Sequence, residues 1–229
     1  MRMIHGKNTT VVSYRLVTGR EAELKVRALL APRPIHSDPV VCEPKGQFES
    51  DRFGFSISKP AAMRVSASQG SFSASAEKYR NMEYRTEKER GYPCTETLSS
   101  PGYFSATLAK GEELHLVASL EHLSPSDALD MLDHQPARFH HMAAGFARQN
   151  GIERTDFSDL LLSAADSFIF SHKGKHGLLA GFHWFSEWGR DAMISLPGIL
   201  LCTGRHALAF EIISKQASLM QEGLLPNFI

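Results

Sequence analysis

Up to about residue 120, apolar residues alternate with polar or small ones. In "ELKVRALL" the set Leu24, Val26, Ala28 and Leu30 is interleaved with Lys25 and Arg27, and in "RFGFSIS" Phe53, Phe55 and Ile57 alternate with small residues. Period two is the mark of a half-buried strand. The same pattern runs through Thr10, Val12, Tyr14 and Leu16, through Met63 to Ala67 and Phe72 to Ala76, and through Phe104, Ala106 and Leu108. "AKGEE" then reads as a hairpin turn into Leu114, Leu116, Ala118 and Leu120. Short strands bounded by Gly, Pro, Ser and Asp clusters predict an antiparallel β-sandwich.

After "LEHLSPSD" the period changes. Asp127 to Asn150 favours helix but contains Pro136, which predicts a kinked or broken helical connector. In "TDFSDLLLSAADSFIFSH" the residues Phe157, Leu160, Leu161, Ala164, Ala165 and Phe168 follow i, i+3, i+4 spacing, with Thr155 as N-cap. Asp191 to Thr203 reads as helix with Pro197 inside or opening it. A last helix is expected from about Arg205 to Gln221, with Phe210, Ile213, Ala217 and Met220 on one stripe and Gly223 as its stop. The expected domains are residues 1–122 as sandwich, 123–154 as helical connector and 155–229 as a helical domain. No internal repeat or low-complexity segment interrupts this plan.

Composition narrows the classes. A chain of 229 residues has room for one large or two small domains, and 42% hydrophobic with 22% charged residues is ordinary for a soluble globular protein. Formal net charge is zero, which leaves no basic footprint for nucleic acid and no polybasic patch for a membrane. Cys42, Cys94 and Cys202 are far apart and form no CxxC pair, so neither a disulfide framework nor a structural zinc site is expected. A cytoplasmic setting follows. The first twenty residues lack an apolar signal core, and no run of about 18 apolar residues occurs.

One segment stands apart. "GFHWFSEWGRDAMISLPG" puts Phe182, His183, Trp184, Phe185, Glu187, Trp188, Arg190 and Asp191 within a few positions, in what the periodicity makes a loop between two helices. Each residue has an ordinary reading: Asp191 as a helix N-cap, Trp184 and Trp188 as one buried helical face, His183 as a structural histidine. The alternative is a sugar site. A pyranose presents a flat C–H face and a rim of hydroxyls, which call for aromatic platforms and for rigid bidentate groups. Glycoside hydrolysis also needs two carboxyl groups across the scissile bond, one of them a general acid. Asp191 suits that acid role poorly, because Arg190 and a helix start both favour a carboxylate, and it suits hydroxyl binding better. Other chemistry finds no pattern: there is no Gly-rich phosphate loop, GxSxG or HExxH, "GKHG" is too short for a phosphate-binding loop, and His140 and His141 lack partners at metal-ligand spacing.

The motif "AGFHWFSEWGRDAMISLPGILLCTGR" closely resembles the start of the catalytic domain of bacterial and archaeal glycogen debranching enzymes of the amylo-α-1,6-glucosidase type. "EGLLPNFI" is similar to a run that follows the next helix in that family. "HGKNTTVVSYRL" and "YRNMEYRTEKERGYPCTETLSSPGYF" resemble its N-terminal sandwich, with Arg90, Gly91, Glu96, Pro101 and Gly102 in matching places and Thr97 where the family usually has aspartate. The resemblance implies an α+β multidomain protein: an antiparallel β-sandwich followed by the first helices of an (α/α)6 barrel, the six-hairpin glycosidase architecture. It implies an α-glucan partner, glycogen or a limit dextrin, hydrolysed at α-1,6 branch points by an inverting two-carboxylate mechanism without metal or cofactor. It places the substrate-binding wall on Trp184, Trp188, Arg190 and Asp191, with Glu187 and Asn227 as further candidates. The family's general acid and base lie downstream of "WGRD", so no catalytic residue is expected in this chain, Asp191 as the acid being the disfavoured option. By the same comparison the chain is expected to be a fragment truncated at both ends and inactive by itself. Two other readings stay open: a non-catalytic glucan-binding module, and a glucoamylase-like or phosphorylase-like helical-barrel enzyme on another α-glucan.

Overall fold

The structure, a computed structural model, describes residues 1–31, 33, 37, 47–59, 61–181 and 185–227. Contacts divide the chain into two compact units, Met1–Asp133 and His134–Ile229.

The first unit is built from two antiparallel sheets. One has six strands: β1 (Arg2–Met3), β2 (Thr9–Arg15), β4 (Phe48–Asp51), β5 (Gly54–Ile57), β6 (Met63–Ala67) and β9 (Glu113–Ser119), in the order β1-β2-β9-β6-β5-β4. The other has three: β3 (Glu21–Arg27), β7 (Ser71–Glu83) and β8 (Thr95–Ala109), with β8 in the middle. Alternation decides which side chains meet between them. Phe55, Ile57, Val65, Ala67, Leu114 and Leu116 from the first sheet pack with Phe72, Phe104, Ala106 and Leu108 from the second. Three rings form the centre, with centroids 5.2 Å apart for Phe55 and Phe72 and 5.0 Å for Phe72 and Phe104. These tilted contacts are the arrangement that ring quadrupoles favour. A second apolar cluster joins Ile4, Val11 and Val117 to Ala128 and Leu132 of helix α2 (Pro125–Asn150).

The sandwich expectation holds, with three differences. β1 and β4 carry little apolar pattern, and the four residues of β4 are all exposed. Phe53 was expected inside a strand but sits, half exposed, in the two-residue turn joining β4 to β5, whose pairing closes at Asp51 opposite Gly54. β7 and β8 run far beyond the apolar stretches that announced them. Their pairing carries a bulge in which Ser75 and Ala76 stand opposite Pro101 alone, between the pairs Ala74–Gly102 and Glu77–Ser100. Proline has no N–H to give a ladder, and a bulge is where a long strand tolerates one. The hairpin ends in the short helix α1 (Arg85–Glu89).

The second unit contains the rest of α2, helix α3 (Asp156–Ser167), the hairpin β10 (Ile169–His172) and β11 (Lys175–Leu178), helix α4 (Gly189–Leu196) continued by a π-helical turn over Pro197–Leu201, and helix α5 (His206–Ser218). Helix α2 is a single element with Pro136 inside, so the predicted break does not occur. One proline removes only its own donor, and the bonds on either side keep the helix continuous. Thr155 does cap α3: its Oγ1 accepts from the Ser158 N–H while the Ser158 hydroxyl accepts from the Thr155 N–H. α4 behaves as the Pro197 reading expected, with the proline opening the π-helical turn. The hairpin was missed. Its turn residues Lys173 (φ 51°) and Gly174 (φ 74°) form the two-residue, doubly left-handed loop that hairpins prefer.

The core of this unit is Leu178, Ala192, Leu196, Leu200, Ala209 and Ile212. The apolar stripes expected on α3 and α5 lie on the solvent side of those helices. Phe157, Leu160 and Leu161 of α3 and Phe210 and Ile213 of α5 face solvent, whereas Leu162, Ala209, Ile212 and Gln216 are buried. Gly223 does not stop α5, which ends at Ser218 with Leu219 as its C-cap; with Glu222 it makes a left-handed two-residue turn closed by paired bonds between Gln221 and Leu224. Polar pins complete the unit. Asp166 accepts from Arg138 and Arg205, and the Asn150 side chain donates to the Cys202 carbonyl at 3.0 Å. Among the described residues no helix is long and apolar enough to cross a membrane.

Candidate functional site

The aromatic segment is not a free loop between helices. β11 runs on to Leu179, which bridges Glu187 in antiparallel fashion; Ala180 N–H donates to the Ser186 carbonyl at 3.1 Å and Phe185 N–H to the Gly181 carbonyl at 3.0 Å. These bonds tie residues 179–181 to residues 185–187; Phe182, His183 and Trp184 lie outside the described residues. The sugar-platform expectation for Trp184 therefore has no structural description.

Glu187 leaves this neck with 6% of its surface exposed. Its Oε2 accepts from Lys215 Nζ on α5, and Lys215 also lies 5.8 Å from the Phe170 ring centroid, a cation–π contact. Glu187 Oε1 has no hydrogen-bond partner among the described residues. Phe170 and Glu187 come close because residue 177 is glycine: a Cβ there would stand 2.5 Å from the Phe170 ring and 2.8 Å from Glu187 Oε1.

α4 then begins. Trp188 is its N-cap residue, extended at φ −122° and ψ 127°, half-buried, and without a side-chain capping bond. Asp191 is therefore not the N-cap but the third helical residue. The first turn of a helix stabilises a negative side chain through the dipole, which explains an aspartate there without any ligand. Two orphan donors of the helix start are met by Asn227, far downstream in the sequence. Gly189 N–H donates to the Asn227 carbonyl at 2.9 Å, and Arg190 N–H donates to Asn227 Oδ1 at 3.2 Å. The chain before Asn227 presses on the same spot: a Cβ at Gly189 would meet the Pro226 carbonyl oxygen at 2.4 Å and Gln216 Oε1 at 3.3 Å. Gln216 is 1% exposed, and neither end of its amide has a partner among the described residues.

Of the candidates, the structure thus brings Glu187, Trp188, Arg190, Asp191 and Asn227 to one locus. Arg190 is exposed and Asp191 half-buried, its main-chain carbonyl taken by Ser195 Oγ at 2.7 Å. Glu187 is committed to Lys215, and Asn227 spends Oδ1 on the helix start. Lys215, Gln216, Gly177 and Pro226 complete the locus and were not anticipated. Only glycine, at 177 and 189, left a trace of them in the sequence, as positions where two segments approach too closely for a Cβ. Among the described residues no three His, Cys, Asp or Glu side chains group as metal ligands.

The motif in the first unit has its own geometry. Glu96, buried in β8, accepts from Arg33 Nε at 2.7 Å and from Arg33 Nη2 at 3.1 Å, and it also accepts from the Tyr84 hydroxyl. The bidentate guanidinium holds the Glu96 carboxyl below the usual carboxylate range, aided by the tyrosine bond, while burial opposes the shift. Gly91, at φ 77°, turns the chain after α1, and Arg90 stacks 4.9 Å from the Tyr92 ring centroid. These residues staple segments of the sandwich together.

Comparison with known families agrees with this partition. Residues 1–115 match the family model described as glycogen debranching enzyme N terminal, and residues 163–229 match that of amylo-alpha-1,6-glucosidase. No solved structure matches the chain. With half of its length matched by the first model and the helical locus matched by the second, the chain belongs to the glycogen debranching enzyme family.

Proposed function

We propose that the locus around Trp188, Arg190 and Asp191 is the glucose-holding wall of an α-1,6-glucosidase site, acting on branch points of glycogen-like α-glucan. The observation that carries this is the division of labour at the locus. Glu187 and Asn227 are tied to protein partners, whereas the Arg190 side chain is exposed and the Asp191 carboxyl, half-buried at a helix start, makes no side-chain hydrogen bond or ion pair among the described residues. A guanidinium fork and a carboxylate on a rigid helical turn beside a tryptophan answer the rim and the face of a pyranose. Trp184 belongs to the same wall by its place in the segment. Barrel helices of the (α/α)6 type would form around α3, α4 and α5, with a soluble sandwich, residues 1–122, preceding a connector, 123–154.

In this reading hydrolysis is inverting: one carboxylic acid protonates the leaving oxygen while a carboxylate activates water on the opposite face, and no metal or cofactor takes part. Neither role fits the carboxylates of this locus. Glu187 is neutralised by Lys215, and Asp191 serves as hydroxyl acceptor. The 229 residues by themselves therefore hold glucan without cleaving it, in a cytoplasmic setting suited to glycogen breakdown.

The test is glucose release from a branched limit dextrin by the purified chain. No release is expected above the uncatalysed rate. Release proportional to protein and indifferent to Asp191→Asn would refute both the anchor role and the assignment of chemistry to other residues.

A further inference from the structure

Asn227 sits at the far end of the second unit's sequence, yet it supplies two acceptors to the first two donors of α4. A helix normally receives its cap from the residue just before it, and here that residue is Trp188, which offers none. Capping from a distant segment couples the geometry of α4's first turn to the placement of residues 226 and 227. Gly189 makes the coupling close, because its missing Cβ lets the Pro226 carbonyl lie against the helix start. Arg190 and Asp191 are the next two residues of that same turn.

We infer that Asn227 is a positioning residue, which holds the α4 start and through it sets Arg190 and Asp191, rather than a ligand of the sugar. The inference deepens the sugar-wall reading, but its first half concerns the helix alone. The chemistry of the cap makes it separable. Arg190 N–H needs an acceptor, which asparagine Oδ1 or an aspartate oxygen provides, whereas a sugar contact through Asn227 Nδ2 would need a donor, which aspartate lacks. The main-chain acceptor for Gly189 is independent of the side chain.

The experiment compares the full chain with Asn227→Ala and Asn227→Asp. Amide hydrogen exchange is followed residue by residue by NMR, and affinity for isomaltose is measured in parallel. Loss of one side-chain cap should speed Arg190 exchange about fivefold in Asn227→Ala, with Gly189 changed less than about twofold. In Asn227→Asp the Arg190 amide should return to wild-type protection, because a carboxylate is at least as good an acceptor at a helix start. Isomaltose affinity should follow Arg190 protection, weakened about fivefold in the alanine variant and restored in the aspartate variant. Unchanged Arg190 exchange in Asn227→Ala overturns the inference. So does equal acceleration of Gly189 and Arg190 in both variants, which means only general loosening. Restored protection without restored isomaltose binding makes Asn227 a direct sugar ligand and also overturns it. If the wild-type chain binds no isomaltose while Arg190 exchange behaves as stated, the sugar reading fails and the positioning of α4 stands.

Discussion

Gly189 is the residue on which the helical locus turns. Its hypothetical Cβ would lie 2.4 Å from a backbone oxygen, that of Pro226, which cannot swing away as a side chain would. Gly189→Ala must therefore push residues 226 and 227 off the α4 start and cost two capping bonds. Overpacking of this kind costs about 1–3 kcal/mol. Urea unfolding of the second unit should show that loss, and a variant as stable as wild type would mean the 226–227 segment is not seated on the helix. At this scale the sequence was informative about which residues gather, since Glu187, Trp188, Arg190 and Asp191 are near neighbours in it. It was silent on what they touch. Asn227 was a sugar-ligand candidate through the family resemblance alone, and only the fold shows Oδ1 accepting from the Arg190 N–H. Lys215 gave no sign at all, because its partner Glu187 lies 28 residues away on another element.

Among the elements, β8 carries the ion-pair staple of the sandwich. The Glu96 carboxyl is buried and its folded-state pKa lies below the unfolded value, chiefly through Arg33. A depressed carboxylate contributes stability that is present above its unfolded pKa and is lost as pH falls through the folded one. The Tyr84 hydroxyl, pushed up by the same carboxylate, stays protonated throughout that range. Sandwich stability should accordingly fall as pH drops below about 4.5, where unfolded glutamates begin to take up protons. In Glu96→Gln that part of the pH dependence should vanish. Losing the charge-assisted bonds between Arg33 and Glu96 should cost about 1.5–3 kcal/mol near neutral pH. Denaturant titrations between pH 3 and 7 measure both effects, and parallel profiles for the two proteins would contradict the assignment. Element type was largely legible in the sequence, since strand alternation and helix spacing are local. Extent was not. The polar tail of β7 carries no apolar pattern and is held by pairing with β8, and the β10–β11 hairpin, four residues per strand about a Lys173–Gly174 turn, is too short to show a period.

Across the whole molecule, the two matched families and the two compact units agree in separating a β part from a helical part. The helical part exposes large apolar side chains: Phe157 at 69%, Leu160 at 68%, Ile194 at 74% and Phe210 at 74%. The i, i+3, i+4 spacing correctly announced apolar faces on α3 and α5 but not whether anything in these residues covers them. Spacing marks a face that is built to be buried, and burial depends on a partner that the pattern does not name. Such faces bind hydrophobic dyes and favour self-association. The isolated chain should do both, and a monodisperse monomer that binds no dye and melts cooperatively would show that these faces are ordinary surface.

The central claim, that the α4 start is a sugar-holding wall, is tested most directly by Asp191→Asn at this position in an active debranching enzyme of the family, assayed on branched glucan and on α-glucosyl fluoride. Losing a charge-assisted hydrogen bond to a sugar hydroxyl should cost about 1.5–3 kcal/mol, and more if the bond tightens in the transition state. Because both substrates need the sugar held, turnover of both should fall to a similar degree. Fluoride needs little protonation to depart, so a proton donor's variant would spare it. If Asp191→Asn abolishes glucan hydrolysis and leaves fluoride turnover intact, Asp191 is the general acid and the holding wall is the wrong account.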